Sequence, residues 1–507
     1  MLSITNSIVL IGLDGYLVEV EVDLTRGLPK FEIVGLPDTA VKESKERVRS
    51  AIKNSGFPFP TKVITINLAP ADLRKEGAGL DLAIAVGLLR ASVEGFTRDV
   101  SKTVFIGELS LDGSVRSVSG VLPLVLGAKK LGFNTVVIPK SNEKEAQYVD
   151  GIDVIAVKSI QEVADFLAER SYNVSEKIEY KTFQKKDKIN DLSFVKGQFM
   201  AKRALEVAVS GGHNLIMIGS PGSGKTMLAK CIPSIMPDMD FEEALETSKI
   251  HSVAGVLDLE DGIVSERPFM TPHHSATNVA LVGGGNALKP GLISLAHNGV
   301  LYLDEMPEYA RSVLECLRQP LEDRVITVSR AKGSVKYPAN FMLCASMNPC
   351  PCGNYGSETA ECRCTQSQIK KYRAKISGPL LDRIDIQLQV DNVEYDDLVA
   401  EEIPESSQVV RKRVNQARLI QRERFKNDDI LVNAQMSEVH IQKYCALDAK
   451  CEEIMRKSYE SLGLSARGRS RIIKVARTIA DLDFSEEILP KHLLEAINYR
   501  SMDINER

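Results

Sequence analysis

The chain has 507 residues, 44% of them hydrophobic and 26% charged, and 64 Lys plus Arg against 68 Asp plus Glu give a net charge of −4. A chain of this length is too long for one hydrophobic core, so two or three domains are expected. The composition excludes a disordered or membrane-embedded protein. The weakly acidic balance excludes a globally basic nucleic-acid binder, so any contact with DNA has to be local.

The N-terminal segment, residues 1–170, mixes strand and helix patterns. Val18, Val20 and Val22 alternate with acidic residues, which predicts a half-buried strand. Further strand patterns lie at 62–68 and 135–138, and apolar helix patterns at 80–90 and 120–131. No basic leader and no apolar run of membrane-spanning length opens the chain, which favours a cytoplasmic protein with no membrane partner. An α+β or α/β domain is expected here.

A polar, charged stretch at residues 171–191 lacks sustained apolar periodicity and predicts a linker. The central segment, residues 192–391, opens with a helix pattern at 198–210 and an apolar strand at 214–218 that continues into a glycine-rich loop. This order is typical of a nucleotide-binding α/β unit with a parallel sheet. Strand patterns then stop, and charged helical segments predict a small helical domain over residues 392–507.

The glycine-rich loop has the sequence GSPGSGKT, which fits the phosphate-loop pattern. Its glycines let successive backbone N–H groups converge on phosphate oxygens at a helix N-terminus. Lys225 can reach the β and γ phosphates of ATP, and Thr226 offers a hydroxyl to Mg²⁺. The flanking strand and helix disfavour the alternative, a chance glycine-rich turn. The expected nucleotide-binding residues are Gly219, Ser220, Pro221, Gly222, Ser223, Gly224, Lys225 and Thr226.

Residues 300–305 (VLYLDE) predict an apolar strand that ends in two carboxylates. A central parallel strand is buried on both faces, and ligands bind beyond its carboxyl end. Asp304 is therefore expected to hold Mg²⁺, and Glu305 to act as general base toward the attacking water. A solvated strand end is the alternative, but downstream of a phosphate loop the second half of an ATPase site is favoured.

Four of the nine cysteines cluster as CPC, nine residues and CRC, namely Cys350, Cys352, Cys362 and Cys364. Four thiolates can surround a tetrahedral Zn²⁺, and such a closed shell would be structural. The usual knuckle has two residues between paired cysteines rather than one, so a reduced surface loop is the alternative. His273 and His274 lack an obvious third ligand, and a structured insert is favoured there over a second metal site.

Six longer stretches carry a family resemblance: FEIVGLPDTAVKESKERVRSAI at 31–52, NLAPADLRKEGAGLDLAIAVGLL at 67–89, PHHSATNVALVGGG at 272–285, SLAHNGVLYLDE at 294–305, SGPLLDRID at 377–385 and KVARTIADL at 474–482. In these stretches the chain resembles the YifB/ComM family of magnesium-chelatase-like AAA+ proteins over nearly its full length. The resemblance implies an AAA+ ATPase core that uses ATP and Mg²⁺, a C-terminal helical lid and assembly into a homohexameric ring.

By this resemblance Asn348 in ASMNP is the sensor-1 residue, an amide that orients the hydrolytic water or reads the γ phosphate. Arg383 in LLDRID is similar to the arginine finger that one subunit supplies to its neighbour. Arg467 in SARGRSR is similar to the sensor-2 arginine of the lid, with Arg469 and Arg471 as alternatives. Arginine suits both positions because its planar fork meets phosphate oxygens bidentately and stays charged.

The N-terminal domain resembles the Lon-protease fold, chiefly at residues 107–132. Gly79 stands where a Lon protease would carry its nucleophilic serine, and Leu122 and Leu124 occupy the region of its lysine. Without nucleophile or base there is no Ser/Lys dyad, so a non-proteolytic scaffold or a DNA-engaging collar is expected. Leu292 stands where relatives usually carry glutamate, and no consequence is assigned to it.

In residues 324–336 (RVITVSRAKGSVK) the side chains that point to the two faces alternate, a turn pattern follows at 331–334, and the alternation resumes, which predicts a β-hairpin. By resemblance this is the hairpin that AAA+ helicases of this branch point into the ring's pore. Arg330 and Lys332 near its tip are the expected DNA contacts, since a collar of cations holds a phosphate backbone without reading sequence. An ordinary solvated turn is the alternative.

The favoured function is an ATP-driven DNA motor with helicase or branch-migration activity on single-stranded or branched DNA. The resemblance to the ComM group implies recombination during natural transformation. The alternative is a magnesium-chelatase-like ATPase that remodels a partner protein rather than DNA. A Lon-like protease is disfavoured by the missing dyad.

Overall fold

The computed structural model describes residues 1–181, 190–285, 288–330, 333–356, 360–393, 395–399 and 404–500. A mixed sheet with helices comes first, a parallel sheet between helices follows, and helices close the chain. This order confirms the expected α/β fold class with a helical C-terminal region. Among the described residues, no helix is both long enough and apolar enough to cross a bilayer.

The N-terminal region contains β1 (Leu2–Ile11), β2 (Asp14–Thr25), β3 (Lys30–Val34), α1 (Thr39–Asn54), β4 (Val63–Ala69), α2 (Asp81–Ser92), β5 (Thr103–Phe105), β6 (Glu108–Leu109), β7 (Val115–Arg116), α3 (Val121–Lys130), β8 (Thr135–Pro139), α4 (Glu143–Gln147), β9 (Asp153–Val157) and α5 (Ile160–Leu167). Seven strands form one sheet in the order β3-β4-β2-β1-β5-β8-β9. β1 and β2 pair antiparallel, whereas β5, β8 and β9 run parallel. Val18, Val20 and Val22 are fully buried, as their alternation predicts.

The central region contains α6 (Phe199–Gly211), β10 (Leu215–Ile218), α7 (Lys225–Ile235), α8 (Phe241–Ala254), β11 (Phe269–Met270), α9 (Asn278–Val282), β12 (Gly283–Gly284), β13 (Lys289–Pro290), α10 (Leu292–Leu295), β14 (Val300–Leu303), α11 (Arg311–Glu315), α12 (Arg318–Asp323), β15 (Val325–Arg330), β16 (Gly333–Pro338), β17 (Met342–Met347), α13 (Gln366–Arg373), α14 (Gly378–Leu381) and β18 (Ile386–Gln389). Five strands form the core sheet in the order β11-β14-β17-β10-β18, and each neighbouring pair is parallel. The strands therefore end together at one side of the sheet, the carboxyl edge, and begin together at the other, the amino edge.

The C-terminal region contains α15 (Tyr395–Val399), α16 (Ser407–Arg424), α17 (Glu438–Tyr444), α18 (Ala449–Ser461), α19 (Ala466–Leu482) and α20 (Pro490–Asn498). Short 3-10 helices lie at Ala78–Leu80, Lys140–Asn142, Leu192–Phe194, Met306–Glu308 and Asn433–Gln435. α16 and α19 share one hydrophobic cluster with α6 and α7, so the lid and the core are continuous. His213 reinforces this junction, because its ring nitrogens contact Thr478 of α19 at 2.8 Å and Asp385 at 3.3 Å.

The N-terminal region docks on α8 of the core. Gly120 N–H donates to the carbonyl of Ser252 at 2.9 Å, and the Ser252 hydroxyl donates to the buried carboxylate of Glu145 at 2.6 Å. Val174 of the expected linker bridges β9 of the N-terminal sheet, whereas Tyr180 contacts the central region, its hydroxyl donating to the Met239 carbonyl at 3.1 Å. Residues 182–189 of that linker lie outside the described part of the chain.

Candidate nucleotide site

The glycine-rich loop joins β10 to α7 at the carboxyl edge. Gly222 and Gly224 adopt φ of +84° and +87°, a region that favours glycine. A Cβ on Gly219 would come within 2.2 Å of the carbonyl oxygen of Val390, so the close approach of β18 also requires glycine there. The spacing of glycines in the sequence thus matches the backbone path that a phosphate cradle needs.

Lys225 is held across this loop. Its ammonium donates to the carbonyl oxygens of Gly219 and Ser220, each at 2.8 Å, and to Oδ1 of Asn348 at 3.4 Å. Burial lowers the pKa of Lys225, while the carboxylates of Asp304 and Glu305 oppose that shift. The predicted phosphate lysine and sensor-1 amide therefore meet at one point of the carboxyl edge.

Asp304 follows β14 and accepts hydrogen bonds from three hydroxyls. Thr226 Oγ1 donates to Oδ2 at 3.1 Å, Tyr302 donates to Oδ1 at 2.9 Å, and Ser346 also donates to Oδ1. Burial disfavours the Asp304 carboxylate, but these hydroxyls outweigh burial and lower its pKa. The sequence analysis missed Tyr302 and Ser346, although each is a hydroxyl residue near the end of an otherwise apolar strand.

The donor set here fits Mg²⁺, which prefers hard oxygen ligands. The Thr226 hydroxyl and the ionised Asp304 carboxylate would hold the ion beside the phosphate loop. Glu305 is exposed next to them, in the left-handed region at φ 50°, and its backbone N–H donates to Ser346 Oγ at 3.1 Å. That conformation turns its carboxylate out of the strand direction toward solvent, where a water-activating base has to lie.

The four clustered cysteines converge after β17. Their sulfur atoms all lie within 4.8 Å of one another, and Cys362 Sγ is 3.7 Å from the sulfurs of both Cys350 and Cys352. A tetrahedral Zn²⁺ with Zn–S of ~2.3 Å requires sulfurs about 3.8 Å apart. Backbone N–H groups lower the pKa of Cys352 to about 6, which favours its thiolate. Within the described residues this is the one group of three or more potential metal ligands, and it fits zinc.

Arg383 lies at the amino edge. It precedes β18, and its carbonyl accepts from Asn214, which precedes β10, at 2.9 Å. The phosphate loop begins after β10, about 16 Å further along the strand direction at ~3.3 Å per residue. The guanidinium binds the carbonyl of Pro379 at 2.7 Å and the carboxylate of Glu322. Arg383 therefore points away from the phosphate loop of its own chain.

Arg383 and Arg467 line one cavity of about 830 Å³ between the core and the lid. Eight arginine or lysine residues and five acidic residues line it, a surplus of three positive charges. One buried nitrogen each of Arg383, Arg418 and Arg471 has no hydrogen-bond partner in the described part of the chain. Burial also lowers the pKa of Arg324, and no carboxylate offsets that effect. The cavity is therefore suited to an anionic group.

The three candidate lid arginines differ in surroundings. Arg467 is exposed at the cavity, Arg469 binds Glu452 at 3.3 Å, and Arg471 lies 3.6 Å from the buried carboxylate of Asp385. Arg471 is thus tied to the core–lid junction and Arg469 to a neighbouring helix. Arg467 is the one of the three that no ion pair occupies in the described part of the chain.

The predicted hairpin is formed by β15 and β16. Ile326, Val328, Val335 and Tyr337 are buried on its inner face, and the Tyr337 hydroxyl donates to the carbonyl of Leu288 at 2.8 Å. The backbone of Arg330 pairs with Gly333 at the outer end, while Lys332 lies outside the described residues. The hairpin pattern is confirmed, and its DNA contacts stay a prediction.

The remaining residues singled out in the sequence make contacts within their own segments or with the nearby core. Gly79 lies in a 3-10 turn, and its carbonyl accepts a hydrogen bond from Gly107 N–H at 3.0 Å. Leu122 and Leu124 are buried on α3. The His273 ring contacts the Ser275 hydroxyl at 2.7 Å. Leu292 begins α10 and packs partly buried against the core of the central region.

Three family models match the chain. The model "Magnesium chelatase, subunit ChlI" matches residues 191–398, "Subunit ChlI of Mg-chelatase" matches 20–142, and "Magnesium chelatase, subunit ChlI C-terminal" matches 404–500. Together they reach the N-terminal, central and C-terminal regions.

Individual relatives match over almost the whole length. The uncharacterized protein YifB of Escherichia coli (strain K12) is 42% identical over 503 residues, which cover 99% of this chain and 97% of YifB. The competence protein ComM of Haemophilus influenzae is 42% identical over 512 residues, 99% of this chain and 98% of ComM. Lon protease 2 of Bacillus subtilis is 30% identical over 168 residues, 30% of each chain.

Proposed function

The chain belongs to the YifB/ComM family of magnesium-chelatase-like AAA+ ATPases, and from that premise we propose that it forms a ring that uses ATP to move single-stranded or branched DNA. The ring is proposed to be a homohexamer. Its proposed activity is helicase or branch migration, and the relative ComM of Haemophilus influenzae is named a competence protein. An ATP-consuming DNA motor acts where both are present, so the proposal includes the cytoplasm.

The carboxyl edge supplies the chemistry of hydrolysis in this proposal. Lys225 would bind the β and γ phosphates, and Thr226 and Asp304 would hold Mg²⁺, which would supply positive charge to the transferring phosphoryl group. Glu305 accepts a proton from the attacking water, and Asn348 orients that water. The Lys225 ammonium donates to Asn348 Oδ1 at 3.4 Å, so both side chains face the same point beside the phosphate loop.

The amino edge supplies the argument for a ring. Arg383 points into a cation-rich cavity on the side of the sheet away from its own phosphate loop. The nucleotide of another subunit could present its phosphate to Arg383 there, as happens with arginine fingers supplied in trans. Arg467 lines the same cavity, and we assign it to the same neighbouring nucleotide.

The single observation that carries the DNA proposal is the hairpin of β15 and β16. It is inserted between α12, which follows the Asp304 strand, and β17, which leads to Asn348. Its inner face is buried, so it is rigid at the base, and Arg330 stands at its outer end. Copies of Arg330 and Lys332 around a pore would form a sequence-independent grip on phosphates.

Structural zinc completes the proposal. The four cysteine sulfurs have separations that match a tetrahedral Zn²⁺ shell, and no other chemistry of the site needs them. About one zinc per chain is expected in the purified protein.

The alternative function, remodelling of a partner protein, rests on one observation, the match of all three magnesium-chelatase models. The deciding experiment measures ATPase rates with no DNA, with single-stranded DNA and with forked DNA. Strong stimulation and unwinding of the fork support the DNA motor, whereas indifference to every DNA favours a protein partner.

A hairpin variant sharpens this test. Arg330→Ala with Lys332→Ala is expected to keep basal ATPase activity and assembly while weakening DNA binding, flattening its salt dependence and removing DNA stimulation. Lys336→Ala is the matched control, because it removes an exposed cation of β16 away from the tip. If the double variant binds and unwinds forked DNA as wild type does, the hairpin is not the grip.

A further inference from the structure

The cysteine cluster touches the phosphate loop. Gly353 directly follows the first cysteine pair, and a Cβ added to it would come within 2.5 Å of Cδ and 2.7 Å of Cγ of Pro221. Gly353 is buried, while Pro221 is otherwise exposed. Part of the outer surface of the phosphate loop therefore packs directly on the backbone of the cysteine segment.

A second connection runs through the chain. Cys350 comes two residues after Asn348, whose side chain accepts from Lys225 at 3.4 Å. The intervening Pro349 carbonyl accepts from Arg373 of α13 at 3.4 Å. The cysteine segment thus abuts the phosphate loop on one side and holds the sensor-1 residue on the other.

Turns and side-chain contacts, rather than regular secondary structure, fix the described part of this segment. Between β17 and α13 the described residues form no helix or strand. The contacts of the described residues include a turn from Gly353 N–H to the Cys350 carbonyl at 3.0 Å, a bond from Tyr355 N–H to Cys350 Sγ at 3.3 Å and the Arg373 guanidinium 5.4 Å from the Tyr355 ring centroid. A segment without a helix or strand gains order from a cross-link between its ends.

We propose that Zn²⁺ bound by Cys350, Cys352, Cys362 and Cys364 braces the phosphate loop through the Gly353–Pro221 contact and thereby sets the affinity for nucleotide. The inference rests on the proposed zinc site and on the phosphate loop, and it is independent of DNA. Metal binding closes the loop between the two cysteine pairs and lowers its entropy. With the metal gone, Gly353 no longer supports Pro221, and the loop must order itself when ATP binds.

The test measures zinc content and the Kd for a non-hydrolysable ATP analogue in three full-length variants. Cys362→Ser with Cys364→Ser is expected to lose zinc and to raise the Kd for the analogue roughly tenfold, which corresponds to about 1.4 kcal/mol of binding free energy. Gly353→Ala is expected to keep zinc and still raise the Kd, since its Cβ displaces Pro221. This separation of zinc content from nucleotide affinity is the signature of the brace.

Gly356→Ala is the matched control. Gly356 lies in the same segment with φ +78°, comparable to +84° at Gly353, but a Cβ there would meet nothing within 4 Å. Both substitutions carry the same backbone strain, so only contact with Pro221 differs between them. The Gly356 variant is expected to bind the analogue as wild type does.

A zinc-selective chelator, with Mg²⁺ in excess, removes zinc from the wild-type protein. This control tests the loss of zinc without a substitution that could itself misfold the chain. The Kd is expected to rise and to return when Zn²⁺ is added back. The inference is overturned if zinc-free protein, or the Gly353→Ala variant, binds the analogue with wild-type affinity, or if the wild-type protein takes up no zinc. None of these results touches the assignment of Lys225, which fails only if Lys225→Ala still binds nucleotide.

Discussion

The two edges of the core sheet present opposite situations. At the carboxyl edge, Lys225 and Asp304 are each engaged by several partners from their own chain. At the amino edge, Arg383 and Arg467 line a cavity with a surplus of cations, in which one buried nitrogen each of Arg383, Arg418 and Arg471 lacks a hydrogen-bond partner among the described residues. The carboxyl edge is suited to a nucleotide, and the amino edge is suited to a further anionic group. From this difference we propose that a single protomer holds two halves of different sites.

The largest expected effect is at the carboxyl edge. Lys225→Ala should reduce ATP turnover to background, because the ammonium is the group that meets the β and γ phosphates. Glu305→Gln should keep nucleotide binding but stall hydrolysis, because the amide cannot accept the proton of the attacking water. Equilibrium binding and steady-state ATPase assays separate the two. Normal turnover by Glu305→Gln would remove Glu305 from the role of base.

The second expected effect tests the amino edge. Arg383→Ala should bind ATP and assemble but hydrolyse roughly a thousandfold more slowly, the range known for arginine fingers. Mixing it with Lys225→Ala protein should restore part of the activity. Some interfaces then combine the intact phosphate loop of one variant with the intact finger of the other.

Arg318→Ala is the control for this experiment. Arg318 lies on α12 and binds Glu315 at 2.9 Å, and it does not line the cavity. The Arg318→Ala variant should hydrolyse ATP at the wild-type rate. Mixed rings that demonstrably form yet recover no turnover would contradict action in trans and would leave both halves in one protomer.

The carboxyl edge was also the easier part to predict from the sequence. GSPGSGKT and VLYLDE each confine their chemistry to a few consecutive residues whose spacing determines the geometry. The hydroxyls of Tyr302 and Ser346 escaped prediction because each looks like a core residue of its strand until the two strands lie side by side. The Gly353–Pro221 contact joins residues more than a hundred positions apart, and no local pattern carries it.

The amino edge could be predicted only through family resemblance. Arg383 and Arg467 look like ordinary surface arginines in the sequence, and only packing of the lid on the core brings them together. Residues 171–181 lacked apolar periodicity and predicted a linker, yet Val174 and Ser175 lie against the N-terminal sheet through backbone contacts such as Ser175 N–H to the Val154 carbonyl at 2.8 Å. Such pairing depends on an available sheet edge rather than on a hydrophobic pattern.

The third prediction concerns what holds the amino edge together. Burial disfavours the Asp385 carboxylate, but His213 and the nearby cations outweigh burial and lower its pKa to about 2. The unfolded pKa is about 3.9, so the folded-state shift of the Asp385 pKa contributes about 2.5 kcal/mol of stability above pH 4. That contribution is lost as the pH falls from about 4 through 2. Asp385→Asn should therefore lower the free energy of unfolding at pH 7. At pH 3 the difference in this free energy between the variant and the wild type should be smaller.

Urea unfolding at the two pH values checks this prediction. Asp382→Asn is the control, since Asp382 is half-buried, interacts with Arg471 as Asp385 does and makes no described contact with His213, and a change within about 0.5 kcal/mol is expected there. An Asp385→Asn deficit that is equal at pH 7 and pH 3 would mean that the carboxylate's charge does not hold the junction.

The smallest expected effect decides between the lid arginines. Arg467→Ala should slow ATP hydrolysis about tenfold with assembly intact, the loss of one charge-assisted hydrogen bond to a phosphate. Arg469→Ala should leave hydrolysis unchanged, because Arg469 is already paired with Glu452 at 3.3 Å. Arg471→Ala should instead lower stability, because Arg471 lies 3.6 Å from Asp385.

Mixing distinguishes the edge on which Arg467 acts. If it serves the neighbour's nucleotide through the cavity that it shares with Arg383, Arg467→Ala subunits should regain turnover at interfaces where a Lys225→Ala subunit presents an intact Arg467. If it served the nucleotide of its own chain, each Arg467→Ala subunit would stay slow whatever its neighbour. Recovery in the mixture would assign Arg467 to the amino edge with the finger. If Arg467→Ala fails to recover while Arg383→Ala recovers in parallel, Arg467 would be assigned to the carboxyl edge of its own chain. The two arginines would then serve different nucleotides although they line one cavity.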